Sequence, residues 1–239
     1  MKAYEFITEG KINLTPRKIS KADFSKVGDM LGYGMQAFAR KNKQTANTII
    51  KVIAIDDLDE ANIKFVELCV ANNGNPFFPI IYNAKLYEYA KSTDADMGTR
   101  TTITAFDGES KYKLVIHQER LHTIEDATTN YIEAVVHQLI GLGFDFEPDR
   151  EDDIVGELKK PNPNFKWIIN SLITELDWSS GRAAIKKNTK NTQLKKALSV
   201  LEPYFREFNS DMHEGNVMIR FSPAGPQLVI IDPFGNTAS

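Results

Sequence analysis

Three side chains in the last thirty residues have the types and the spacing that phosphoryl-transfer chemistry requires. Asp211 and Asn216 are five positions apart in the segment D-M-H-E-G-N, and Asp232 follows Asn216 by sixteen residues at the end of an apolar run. In phosphoryl transfer, one carboxylate orients or deprotonates the attacking hydroxyl, while an amide oxygen and a second carboxylate hold Mg²⁺ against the nucleotide phosphates. An acid and an amide at this spacing are common by chance, but an apolar run that soon delivers a second acid is much rarer.

This segment resembles the catalytic loop and the metal-binding aspartate of the protein-kinase-like superfamily. Its D-x-H-x-x-N form is closer to the aminoglycoside and choline phosphotransferase branch than to the H-R-D loop of ordinary protein kinases. It also resembles the small kinase domains carried by some bacteriophages, which share a D-M-H-x-G-N stretch followed by an acid-proline pair, here Asp232-Pro233. The resemblance covers residues 25–236 and implies ATP as the phosphate donor, Mg²⁺ as the cofactor and a hydroxyl group as the acceptor.

The resemblance also implies a role for each of these side chains. Asp211 would accept the proton of the acceptor hydroxyl or orient that hydroxyl, and Asn216 and Asp232 would ligate Mg²⁺. His213 is expected to brace the loop by hydrogen bonding, with a direct role in proton transfer as the alternative.

A glycine-containing turn and a lysine-bearing strand come early in the chain. Gly32 and Gly34 lie in the pattern G-x-G-x-x-A, where glycines let a backbone turn approach phosphates closely; a plain hairpin turn is the alternative. Lys51 lies in a β-branched run 19 residues after Gly32. A lysine in such a strand must reach solvent or a partner, because burying it alone is costly. By resemblance it would contact the α- and β-phosphates.

The run 56–71 predicts a helix with an apolar stripe at residues 63, 66 and 70. Glu67 lies near its middle, sixteen residues after Lys51, where a kinase-like glutamate that pairs with the lysine would belong. A surface carboxylate is the alternative. Cys69 lies in the same apolar run and is expected to be a small buried hydrophobe rather than a nucleophile.

Strands are predicted at residues 80–90, 100–106 and 112–121. By resemblance the end of the last strand is the hinge, where backbone groups near Glu119 and Leu121 would hydrogen-bond adenine. Backbone contacts leave little signature in side chains, so this assignment comes from position along the chain.

The second half of the sequence has helical periodicity. Helices are predicted at 124–142, 164–176 and 193–208, and the acidic, proline-bearing stretch 144–164 predicts an exposed insertion. The stretch 182–196 contains six basic residues and no acid; a solvated loop and helix face is the main interpretation, and a surface for a partner or substrate is the alternative.

Composition narrows the classes of function. Of the 239 residues, 42% are hydrophobic and 26% are charged, with a net charge of −3. Binders of nucleic acid or membrane surfaces usually carry a basic excess, so we expect neither partner. No apolar run reaches the roughly 18 residues of a membrane span. The single cysteine and the lack of a signal-like N-terminal core predict a cytoplasmic protein, in the host cytoplasm if a bacteriophage encodes it.

Several positions depart from the protein-kinase pattern. Asn209 and Ser210 stand where an H-R-D loop has histidine and arginine, so control through that arginine by activation-loop phosphorylation is not expected. Ile49 stands where kinases usually keep a small alanine over the adenine. No activation segment or A-P-E motif follows Asp232, so a peptide substrate would have to dock on the helices of 123–196, on the insertion or on another chain.

We therefore predict an α+β, bilobal protein-kinase-like fold with a truncated C-terminal lobe. An N-terminal extension (1–20) precedes an N-lobe (21–121) of antiparallel sheet plus one helix, and a minimal helical C-lobe (122–239) carries the catalytic loop and the metal-binding aspartate. The nucleotide would bind in the cleft between the lobes.

Three functions are compatible with this pattern. The leading one is a minimal phage-type Ser/Thr protein kinase that transfers the γ-phosphate of ATP to a hydroxyl of a protein. The second is a pseudokinase, a nucleotide-binding or purely interacting module in a larger assembly, which the truncation and Ile49 favour. A structural role in a virion is a further alternative, because a kinase-like fold does not guarantee activity. The third is a small-molecule kinase of the aminoglycoside or choline type. A protein substrate or an assembly partner is expected for the first two.

Overall fold

The computed structural model of the protein describes residues 12, 14–18, 27–33, 37–56, 61–88, 111–141, 154–223 and 225–237. These residues form a mixed α+β structure. The chain divides into two compact units, of which the first contains residues 1–73 and 80–120 and the second contains residues 74–79 and 121–239.

Some sequence predictions fall outside the described residues. These are the strand at 100–106, Gly34 and the acidic part of the insertion, residues 144–153. Residues 154–158, at the end of the predicted insertion, form a short helical turn. No helix within the described ranges has the length and apolar character that crossing a lipid bilayer demands.

The first unit is built on one sheet, in which six strands are described. The strands are β1 (Arg17–Lys18), β2 (Val27–Tyr33), β3 (Ala37–Asn42), β4 (Thr48–Ile55), β5 (Ile81–Glu88) and β6 (Tyr112–Glu119). Their spatial order is β1, β5, β6, β4, β3 and β2. All pairings are antiparallel except that of β1 with β5. The β-branched run of β4 therefore lies inside the sheet, where residues of this kind pack well.

Helix α1 (Ala61–Ala71) covers one face of this sheet. Its Ile63 and Val66 pack against Ile53 and Ile55 of β4 in a buried cluster. Full burial of such a side chain stabilises the fold by about 1.5–3 kcal/mol. The helix was predicted for 56–71, and its described part confirms this from residue 61 onwards. The predicted burial of its cysteine is confirmed as well.

Among its described residues, the second unit contains four helices of ten or more residues. They are α2 (Thr129–Gly141), α3 (Phe165–Asp177), α4 (Ser179–Asn188) and α5 (Thr192–Leu201). Each packs against the next along the chain. Asn164 and Asn191 start α3 and α5 by accepting backbone N–H bonds on their side-chain oxygens, an arrangement that stabilises a helix start by about 1 kcal/mol.

Three predictions for this region are wrong in part. The helix predicted for 124–142 begins only at Thr129. The helix predicted for 193–208 ends at Leu201, because Pro203 has no N–H to continue the helical ladder. A 3-10 turn (Tyr204–Arg206) follows. The basic stretch 182–196 spans most of α4 and the start of α5, and its first member, Arg182, is buried instead of solvated.

Two short strand pairs complete the second unit. Strand β7 (Phe208–Ser210) pairs with β10 (Phe234–Thr237), and β8 (Val217–Ser222) pairs with β9 (Gly225–Ile230), all antiparallel. Gly225 closes the second hairpin with φ 108°, a conformation that strongly favours glycine.

The segment 74–79 lies between two elements of the first unit in sequence but belongs to the second. Its Phe77 and Phe78 are buried. The guanidinium of Arg220 donates to the carbonyl oxygens of Pro76, at 2.7 Å, and of Phe78, at 2.8 Å, while the N–H of Ile230 donates to Phe77. The fork of Arg220 thus fixes the backbone on both sides of Phe77.

Candidate functional site

The two strand pairs of the second unit bring Asp211, Asn216 and Asp232 together. Asp211 directly follows β7, and its N–H donates to the carbonyl oxygen of Pro233 at 3.0 Å. Asn216 directly precedes β8, and its carbonyl oxygen accepts from the N–H of Ile231 at 3.0 Å. Asp232 is the residue between these two bonded positions. Backbone pairing therefore brings Asp232 next to Asp211 and Asn216, although sixteen or more residues separate it from them in the sequence. The predicted site requires this proximity.

The side chains of Asp211 and Asn216 are joined directly. The Nδ2 atom of Asn216 donates to the backbone carbonyl oxygen of Asp211 at 2.8 Å and to its Oδ2 atom at 2.9 Å. Both partners are acceptors, so they fix the orientation of the amide and leave its Oδ1 atom on the opposite edge. The Asp211 side chain is 49% exposed, which keeps its carboxylate accessible to an incoming hydroxyl.

His213 braces the loop 211–216 by a hydrogen bond within the loop. Its Nδ1 atom accepts the N–H of Gly215 at 3.0 Å. Nε2 lies 2.9 Å from Nδ2 of Asn216 and 3.8 Å from Oδ1 of Asp211. A Cβ at position 215 would lie 2.7 Å from Cε1 of His213, so glycine lets the loop close tightly around the ring.

Asn216 and Asp232 carry oxygen donors of the type that Mg²⁺ takes. Mg²⁺ is usually held by only one or two protein ligands, with phosphates and waters filling the other positions. The Oδ1 atom of Asn216 and the carboxylate of half-buried Asp232 are hard oxygen donors of this kind. The amide orientation that Asp211 imposes presents an oxygen for such an ion, which a rotated amide would not.

Lys51 lies in the first unit, on β4, where it is half-buried. Its cross-strand partner is Ile116. Side chains alternate along a strand, so Lys51 projects from the same face as Ile53, the face that α1 covers. Glu67 is exposed on α1, one turn after Ile63, which packs on that face. An ion pair between Lys51 and Glu67 remains a prediction.

The structure describes only some of the residues that were predicted to contact the nucleotide from the first unit. Gly32 lies in β2 opposite Ala39, next to irregular pairing in the β2–β3 hairpin. Glu119 is buried, its N–H donates to the carbonyl oxygen of Ile80, and its carboxylate accepts the N–H of Ile80 at 2.7 Å. A contact of adenine with the backbone of Glu119 would therefore not use that N–H. Leu121 is buried and belongs to the second unit.

Two residues that the sequence did not single out as site residues contact the segment 210–212. Asp177 accepts the N–H of Met212 on its Oδ1 atom at 3.1 Å. The guanidinium of Arg182 lies 3.4 Å from Oγ of Ser210. The only signal in the sequence was an acid at the end of an amphipathic helix, a position that ordinarily indicates nothing more than a solvated side chain.

The structure thus joins Asp211, Asn216 and Asp232 in one unit and places Lys51, Glu67, Gly32 and Glu119 in the other. Comparison with known proteins assigns no family: no protein-family model matches this chain, and a search of curated proteins found no match to it.

Proposed function

We propose that this chain is an ATP-dependent phosphotransferase of the protein-kinase-like type, and specifically a minimal Ser/Thr protein kinase. The contact that carries this proposal is the bond from the Asn216 amide to Asp211, at 2.8 and 2.9 Å. It presents one accessible carboxylate and one fixed amide oxygen on the same short loop. Asp232 stands beside that loop as a second carboxylate. These are the groups that transfer from a magnesium nucleotide to a hydroxyl requires.

In this proposal the side chains act by position and charge. The exposed carboxylate of Asp211 accepts a hydrogen bond from the acceptor hydroxyl, orients its oxygen and takes its proton as the new bond forms. Asn216 and Asp232 hold Mg²⁺, which when bound neutralises charge on the transferring group. Lys51 binds the nucleotide phosphates, and Glu67 orients Lys51. His213 keeps the loop closed through Gly215.

The architecture supports the same proposal. A mostly antiparallel sheet, covered by one helix among the described residues, and a mainly helical unit with short strand pairs at its site are together the composition of a bilobal kinase-like fold. The half-buried Lys51 lies on the helix-covered face of that sheet, as its proposed role needs. We propose on this basis that the two units are the N-lobe and the C-lobe of such a fold.

A pseudokinase is the second candidate, and the exposed side chain of Glu67 favours it. Active protein kinases need the pairing of lysine and helix glutamate in place. A chain that does not form this pair could bind a nucleotide and act as an interaction module in a larger assembly.

Labelled ATP and Mg²⁺, added with a host lysate, separate these functions. We expect label on serine or threonine of a protein, reduced about 10²–10⁴-fold by Asp211→Asn, because the variant cannot take the hydroxyl proton. Magnesium-dependent ATP binding without any transfer would establish the pseudokinase. Transfer only to aminoglycosides, choline or sugars would establish the small-molecule kinase. Absence of both binding and transfer would contradict both kinases and a nucleotide-binding pseudokinase.

A further inference from the structure

Asp177 is the last residue of α3, yet its carboxylate serves the loop that begins at Asp211. Its Oδ1 atom accepts the N–H of Met212 at 3.1 Å. The preceding N–H, that of Asp211, donates to Pro233 at 3.0 Å. Two successive backbone donors are therefore fixed by partners from different parts of the unit, which sets the direction in which the Asp211 side chain leaves the backbone.

Asp177 does not serve the start of the next helix. The cap position of α4 is Trp178, which makes no side-chain cap bond. Asp177 lies one position before that cap, and its carboxylate accepts the N–H of a residue 35 positions away in the sequence. The carboxylate therefore fixes the loop and not the helix that follows it.

Arg182 ties the end of α3 to the residue before Asp211. Its side chain is 5% exposed, and its guanidinium lies over the ring of Phe205, 3.8 Å from the centroid. Its Nη1 atom donates to the carbonyl oxygens of Leu176, at 2.8 Å, and Asp177, at 2.6 Å. The same nitrogen lies 3.4 Å from Oγ of Ser210. One cation therefore contacts both the segment that supplies the carboxylate and the segment that carries Asp211.

The burial of Arg182 is costly. Burial lowers the pKa of Arg182, and the charges of Glu202 and Asp177 offset this in part. Its Nε atom is buried without a hydrogen-bond partner, and the nearest carboxylate oxygen of Glu202 is 3.9 Å away. Replacing buried ions by apolar residues is often neutral or stabilising, so net stability explains such a charge poorly and a role in specifying one conformation explains it better.

We propose that Asp177 and Arg182 are positioning residues which, given the phosphotransferase function proposed above, hold Asp211 in its reactive orientation. Ser210 stands where an H-R-D loop has its arginine, and the guanidinium beside it comes instead from α4. This brace is built into the helices of the unit. The loop is consequently held in place by contacts within the fold itself.

Amide hydrogen exchange of the full-length protein tests the brace without any assay of activity. Asp177→Ala removes the carboxylate that accepts the N–H of Met212. We expect the backbone amide of Met212 to exchange at least tenfold faster, while the exchange rates of the amides of α5 are unchanged. Asp177→Asn keeps an Oδ1 acceptor and should restore the slow exchange. Arg182→Met, which keeps the length of the side chain, should speed exchange at 210–212. Unchanged exchange at Met212 in the folded Ala variant would overturn the inference.

Turnover then tests the catalytic consequence. We expect Asp177→Ala to lower kcat by about 10²-fold, the effect of a small misplacement of a reacting group, with KM for ATP little changed. Asp177→Asn should recover most of the rate. A kcat that falls only in proportion to the folded fraction would refute a positioning role. If Asp177→Ala does not fold, Asp177→Leu, similar in size and without an acceptor, replaces it in both measurements.

The two proposals fail in different ways. If the wild-type protein shows no transfer that depends on Asp211, the function is wrong, while hydrogen exchange still decides whether the brace exists. If the wild type transfers phosphate and Asp177→Ala matches it in both exchange and kcat, the function stands and the brace is wrong.

Discussion

The Nδ2 atom of Asn216 donates to both the carbonyl oxygen and the carboxylate of Asp211, at 2.8 and 2.9 Å. One amide group thus fixes the proposed proton acceptor and, through its other end, the direction of a ligand oxygen. The two roles that the chemistry needs are mechanically coupled, and a change at either residue should disturb both.

Asn216→Asp tests this coupling. If residue 216 only ligated Mg²⁺, a carboxylate there would preserve or strengthen metal binding. The structure predicts the opposite outcome for transfer, because the variant loses the donor and sets a second negative charge about 3 Å from Asp211. We expect the kcat of Asn216→Asp to fall about 10²-fold or more, to a level similar to the kcat of Asn216→Ala. Transfer rates measured over a range of Mg²⁺ and ATP concentrations give both values. A wild-type rate for Asn216→Asp would contradict this geometry.

Asp232→Ala should weaken ATP binding only when Mg²⁺ is present, because it removes a metal ligand and leaves the direct contacts of the protein with the nucleotide. Isothermal titration with and without EDTA measures the difference, for which we expect at least tenfold. Glu214→Gln is the matched control, since Glu214 is an exposed acid of the neighbouring loop 211–216. A similar loss in both variants would mean that general charge, and not metal ligation, supports binding.

Gly181→Ala should destabilise the second unit. A Cβ at residue 181 would lie 2.2 Å from the carbonyl oxygen of Glu175, a contact that requires α3 and α4 to move apart. Overpacking of this kind costs about 1–3 kcal/mol, or a fall in Tm of several degrees for a chain of this size. Gly156→Ala is the control, because nothing lies within 4 Å of its Cβ position. Equal melting temperatures for the two variants would contradict the packing.

Gly215→Ala and His213→Ala should be non-additive. The new methyl group would press on the imidazole ring at 2.7 Å and displace it, so the single variant should lose transfer with little change in Tm. In a His213→Ala background the ring is gone, and the same substitution at residue 215 should have almost no further effect. A double-mutant cycle in kcat measures this coupling. Strict additivity would show that the ring does not set the loop.

Elements with strong local signals could be predicted from the sequence. Asn164 and the apolar periodicity after it predict a helix at 164–176, and α3 occupies Phe165–Asp177. The β-branched run around Lys51 predicts a strand, which is β4. Helix α4 gives a weaker signal, because its buried side includes Gly181 and Arg182 and only one large apolar residue, Ile185. Hydrophobic periodicity does not detect a helix that buries an arginine.

The candidate site also has one part that could be predicted from the sequence and one part that could not. The loop from Asp211 to Asn216 is local, and its residue types and spacing predict their own convergence. Asp177 could not be predicted, because a carboxylate that accepts one distant backbone N–H leaves no pattern in composition or spacing. Its partner Arg182 is identified only by its burial.

The docking of residues 74–79 by Arg220 constrains how this protein can be made and divided. The chain enters the second unit at residue 74, leaves it after 79 and returns at 121. A fragment that starts at 121 would lack the rings of Phe77 and Phe78 and would expose the surface that they cover. During synthesis, more than a hundred further residues must be added after Phe78 before Arg220 and Ile230 leave the ribosome and can bond to this segment. Packing of Phe77 and Phe78 in the second unit therefore depends on synthesis of the chain at least as far as Ile230.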